Sequence, residues 1–87
     1  MTFGTAIELL KDGKMVARKG WNGKGMYLFL LRGGLSGTEV SNQHPYIEEK
    51  TTIQDCICMF TAQKTVCVGW LASQADMLSD DWTELDG

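Results

Sequence analysis

The sequence predicts an α+β domain: a small antiparallel β-sheet with an N-terminal helix and a short C-terminal helix. Three observations lead there. The first dozen residues have helical periodicity. Two pairs of β-rich apolar runs are each joined by a short polar or glycine-rich link. A capping-box sequence then opens one more short helix. The 87 residues form a single domain, 1–87. A chain this short has little core for its surface and gains from a partner subunit.

In order, Thr2 is the N-cap of a helix in which Phe3, Ala6, Ile7 and Leu10 share one apolar face. Asp12-Gly13 stops it, because glycine accepts the left-handed conformation that follows a helix end. Residues 14–19 read as a short strand whose charged ends suit a sheet edge or a ligand-facing position. Met26-Tyr-Leu-Phe-Leu-Leu31 is apolar throughout and reads as a central strand that pairs with 14–19 as a hairpin. Gly33-Gly34, Ser36, Gly37, Ser41 and Asn42 mark a long loop to His44-Pro45, with Tyr46-Ile47 as a short extended piece. Cys56–Phe60 and Thr65–Val68 form a second hairpin across residues 61–64. Ser73-Gln-Ala-Asp76 has the capping-box spacing for a helix to about residue 78, and 82–85 is a final edge strand.

Composition narrows the function. A hydrophobic fraction of 44% with 22% charged residues belongs to a chain that folds. No apolar run is long enough to span a bilayer, and the N-terminus lacks the apolar core of a secretion signal, so an intracellular setting is expected. The net charge of −3 argues against a polymeric nucleic acid as partner. That sum hides an asymmetry: the first 32 residues carry +4 and the remaining 55 carry −7. An anionic ligand would therefore be met by the first third of the chain.

Arg18-Lys-Gly-Trp21-Asn22-Gly-Lys24-Gly-Met26 is the stretch best suited to meet it. Its glycines allow close backbone approach, Trp21 offers a stacking face, and its cations suit an anion. On composition alone the favoured reading is a glycine-rich hairpin with a core tryptophan. Trp70 stands just before the Ser73 cap, so Trp21 and Trp70 are the candidates for stacking on a ligand. Phe29, Phe60 and Trp82 are assigned to the core. The helix N-terminus at Ser73 is a further place for an anion.

Other chemistry finds little support. The single histidine, His44, lies beside a proline in a loop, and no serine or cysteine has an evident base partner. Gly20, Gly23 and Gly25 do not have the spacing of a dinucleotide fingerprint or a P-loop. Cys56, Cys58 and Cys67 with His44 supply four zinc-type ligands, but C-x-C is not the usual gap, and the thiols lie in apolar runs. No catalytic group, cofactor or metal is called for.

The blocks Arg18–Met26, Pro45-Tyr-Ile47, Trp70-Leu-Ala-Ser73-Gln74-Ala-Asp76-Met-Leu78 and Asp81-Trp82, in that order, resemble the Thoeris anti-defense 2-like domain. The likeness runs from Phe3 to about Leu85 and is weakest over 32–44 and 52–68. It implies a phage protein that acts in the cytoplasm of the infected bacterial host. Members of the family bind cyclic ADP-ribose isomers, and some bind cyclic oligonucleotides, holding these immune signals without cleaving them. It implies a homotetramer with pockets at subunit interfaces. On that basis Trp21 or Trp70 would stack on the base. Arg18, Lys24 and the helix start at Ser73 would face the phosphates, and Asn22, Gln74 and Asp76 would reach ribose hydroxyls or a base edge. The plainer alternative is that Ser73 and Asp76 only cap a helix and Asn22-Gly23 only makes a turn. Two other functions stay open: a nucleotide-processing enzyme, and a small structural or regulatory interaction protein without a ligand.

Overall fold

The computed structural model describes residues 1–34 and 38–85. Helix α1 spans Phe3–Lys11, with the Thr2 hydroxyl accepting from the Thr5 N–H and Ala6 and Leu10 buried. The helix closes as anticipated. Gly13 has φ +85°, its N–H donates to Leu10, and the Lys14 N–H donates to Leu9, which is the two-bond seal of a left-handed helix end.

Five strands follow, β1 (Met15–Arg18), β2 (Tyr27–Leu31), β3 (Cys56–Phe60), β4 (Val66–Val68) and β5 (Trp82–Leu85). They form one antiparallel sheet in the order β4-β3-β2-β1-β5. Strand β2 is central, as its apolar run requires. Strand β1 is not an edge: β5 covers its outer side, pairing Arg18 with Trp82 and Val16 with Glu84. The chain's first residue ties this seam. The Met1 amino group donates to the carbonyls of Asp80 and Trp82, and Trp82 N–H returns a bond to Met1.

Two further expectations are corrected. The segment read as loop contains a helix, α2 (Thr38–Gln43), while Ser36 and Gly37 of that loop lie outside the described residues. Tyr46-Ile47 is a turn and not an extended piece, with Tyr46 fully exposed. Short polar helices carry almost no apolar periodicity, and Val40 alone gives α2 none to read. The capping box behaves as spelled. Helix α3 (Gln74–Leu78) starts with Ser73 Oγ accepting from the Asp76 N–H and the Asp76 carboxylate accepting from the Ser73 N–H.

Side chains alternate across the sheet, so the pairs Val16–Leu28 and Leu28–Met59 share one face. Helix α1 packs there, against β1, β2, β5 and α3. Ala6, Leu10, Val16, Leu28 and Trp82 form the core, and Phe3, Trp21, Leu30, Met59 and Trp70 close around it. Trp82 is 1% exposed and is core, as assigned. Phe29 and Phe60 are half-buried and belong to the opposite face. There Tyr27 stacks on Phe60 at 5.1 Å and leans on Phe29 at 6.3 Å, beside the exposed Val66 and Val68.

Candidate functional site

The site begins at the last residue of β1. Opposite Trp82 in the register, Arg18 is carried to the corner where α3 meets β5. Its Nη1 donates to Asp76 Oδ1 at 2.8 Å and its Nε to Asp81 Oδ1 at 2.9 Å. Asp81 also accepts from the Gly20 N–H at 2.9 Å, which anchors the start of the β1–β2 loop. Asp76 takes a further bond from Trp21 Nε1 at 3.2 Å, and its backbone carbonyl accepts from Trp82 Nε1 at 2.9 Å. The two blocks, residues 18–26 and 70–82, therefore meet within one chain.

Their protonation follows from these bonds. Burial would raise the Asp76 carboxyl, but donors from Arg18, Ser73 and Trp21 outweigh it and hold it at about 2. The Arg18 hydrogen bond is the main cause that lowers Asp81, and Asp81 and then Asp76 raise Arg18 in return. Both carboxylates stay ionised at neutral pH, and the guanidinium is neutralised by them.

The three tryptophans meet around this hub. Trp21 lies edge-on to Trp82 at 5.4 Å and to Trp70 at 6.2 Å, and Trp70 lies edge-on to Trp82 at 6.3 Å. Trp21 is therefore part of the aromatic cluster. It also lines an open cleft of about 450 Å³ between the two hairpin turns. The first turn supplies Trp21, Asn22, Gly23 and Met26, and the second hairpin supplies Met59, Thr61, Ala62 and Gln63. None of these side chains titrates near neutral pH. Gly23 suits the close packing, since a Cβ there would force the Met26 side chain and the Ala62 methyl to shift.

This geometry is the setting for the comparison with known proteins. The Thoeris anti-defense 2-like domain matches residues 1–85. "Thoeris anti-defense 2" of Bacillus phage SP01 is 35% identical over 82 residues, covering 94% of this chain and 91% of that protein. The chain belongs to the Thoeris anti-defense 2-like family. Membership supports a phage anti-defence role, and the family is not named for an enzymatic activity. Among the described residues no helix is long and apolar enough to cross a membrane, and no group of histidine, cysteine and acidic residues is placed to hold a metal ion.

Of the eight residues singled out in the sequence, Trp21 and Asn22 line the cleft. Arg18, Trp70, Ser73 and Asp76 stand behind Trp21 as its support. Lys24 is exposed on the first turn, and Gln74 is exposed at the start of α3. The α3 N-terminus already has its anion, the Asp76 carboxylate. Sequence reasoning missed the second hairpin's share in the cleft. Its only signal was the turn at 61–64 lying, by antiparallel connectivity, at the same end of the sheet as the glycine loop.

Proposed function

We propose that the protein is an anti-defence sponge: it binds cyclic nucleotide immune signals in the cleft between the hairpin turns and holds them uncleaved. Cyclic ADP-ribose isomers and cyclic oligonucleotides are the ligand classes. The observation that carries this reading is the cleft itself, with an indole fixed in orientation by Asp76. Its volume and lining suit a nucleobase, with Trp21 as the stacking face, Met26 and Met59 as soft polarisable walls, and Asn22, Thr61 and Gln63 to reach polar edges. Stacking of a base on an aromatic contributes about 1–3 kcal/mol in single-stranded nucleic-acid complexes.

Retention without cleavage has its own support. The carboxylates that hold the first loop, Asp76 and Asp81, are engaged by Arg18 and depressed, so neither is poised near neutral pH as a general acid or base. In this reading Arg18 and Asp76 position Trp21 and do not touch the ligand. The partner is a second copy of the chain. The half-exposed face bearing Tyr27, Phe29, Phe60, Val66 and Val68 is apolar enough to be covered in a homotetramer. The site of action is the cytoplasm of the infected host.

The test is to saturate the protein with a cyclic ADP-ribose isomer, remove free ligand, heat-denature and analyse the supernatant. Intact ligand in stoichiometric amount is expected. Hydrolysed products would instead identify a nucleotide-processing enzyme. If calorimetry gives no heat with any cyclic nucleotide, the protein is an interaction module without a ligand.

A further inference from the structure

The cleft lining carries no formal charge, yet any cyclic nucleotide brings phosphates that must be met at the rim. Arg18 is not free to meet them, because Asp76 and Asp81 hold it from two sides. Two cations remain beside the cleft. Lys24 follows the lining residues Asn22 and Gly23 on the first turn, and Lys64 follows Gln63 on the second. Both are exposed, and among the described residues neither has an acidic partner.

Lys64 is unusual in its backbone. Among the described residues it alone combines a side chain with a positive φ, 64°, a conformation that glycine or asparagine adopts with less strain. The turn around it is fixed on all sides. The Lys64 N–H donates to the Thr61 carbonyl at 2.9 Å, and the Thr61 N–H to the Thr65 carbonyl at 2.8 Å. The Thr65 N–H donates to Thr61 Oγ1 at 3.1 Å, and the two threonine hydroxyls are 2.6 Å apart. A lysine kept at a strained, rigidly held turn position next to a ligand-sized cleft points to its charge being used there.

We infer that Lys64 on the second hairpin turn, together with Lys24 on the first, forms the phosphate subsite for a nucleotide whose base occupies the cleft. This rests on the cleft being a nucleotide site. Lys64 then supplies the contact that the composition of the first loop assigns to Arg18. The group bound is a phosphodiester or diphosphate, the chemistry that cyclic oligonucleotides and cyclic ADP-ribose share.

Calorimetry on the full chain with cyclic ADP-ribose and with cyclic triadenylate, at low and high salt, tests it. Lys64→Gly should melt no lower than the parent, since the turn relaxes, yet bind a phosphate-bearing probe about tenfold more weakly. Its binding should also depend less on salt. Lys64→Asn, which tolerates the same backbone without the charge, should behave alike should the glycine variant prove unstable. Lys64→Arg should stay within a few-fold of the parent. Loss with one probe only assigns the subsite to that ligand class. The inference is overturned if both uncharged variants bind both probes with parental affinity and salt dependence, or if Lys64→Arg loses as much as Lys64→Asn. A parent that binds neither probe removes the sponge reading itself, an outcome distinct from these.

Discussion

Asp76→Asn perturbs the hub with the least change in shape. Asparagine keeps its oxygen for the Trp21 indole N–H on the Oδ1 side, but it sets an NH2 against the Ser73 N–H on the Oδ2 side and gives up the charge that faces Arg18. In the parent the carboxyl is depressed to about 2. A carboxyl with a lowered folded-state pKa stabilises the fold above its unfolded value near 3.9, and that contribution is lost as pH falls through the folded value. The difference in pKa corresponds to about 2–3 kcal/mol at pH 7 and about half that at pH 3, with most of it gone by about pH 2. Urea denaturation of parent and variant at pH 7, 4 and 3 should therefore show a gap of at least that size, narrowing by that amount as the solution is acidified. Asp81 is also depressed by Arg18 and titrates in both proteins, so it cancels from the difference to the extent that Arg18 stays in place. A gap that is absent at pH 7, or one that stays constant down to pH 3, would refute the claim that ionised Asp76 is held by these donors.

Trp21→Phe keeps an aromatic face but loses the bond to Asp76. A loss of about 1–2 kcal/mol in thermal or urea denaturation is expected, with weaker ligand binding by calorimetry. Gly23→Ala forces Met26 and the second turn to give way, so ligand affinity should fall while the melting temperature drops only a few degrees. Gly33→Ala meets backbone: its Cβ would collide with the Ile53 carbonyl and approach Asp55 N at 2.8 Å. That change should destabilise by about 2 kcal/mol or more, read by thermal melting. Because it lies at the end of the sheet away from the hairpin turns, the folded fraction should still bind ligand.

What was readable in the sequence is what lies within a turn or two of chain. Thr2 and Gly13 bound α1, Ser73 and Asp76 spell the start of α3, and each hairpin is written in the runs that flank its turn. What was unreadable depends on the return of β5 to β1. That pairing places Trp82 opposite Arg18, and only then do Asp76 and Asp81 close on a guanidinium 58 and 63 residues away in sequence. Without it β1 reads as an edge and Arg18 as a free cation. Asp76 shows the same limit: its capping role is local, while its bonds to Arg18 and Trp21 are a product of topology. The second wall of the cleft, Thr61 to Gln63, had no chemical signature because its contribution is position.

The network also resolves a conflict inside the opening loop. Three glycines within residues 20–25 let the chain turn over the cleft, but they raise the entropy that must be lost when a ligand orders the loop. Binding is weakened by whatever ordering is left until the ligand arrives. Asp81 accepting from the Gly20 N–H and Asp76 accepting from the Trp21 indole remove much of that freedom beforehand. Arg18 is what makes the arrangement stable, since two carboxylates at one corner would repel each other without a cation between them. In the proposed sponge the arginine at the head of the basic loop would therefore serve the ligand indirectly. It holds the acids that hold the indole, and on the proposed reading phosphate contact would fall to cations further out on the turns.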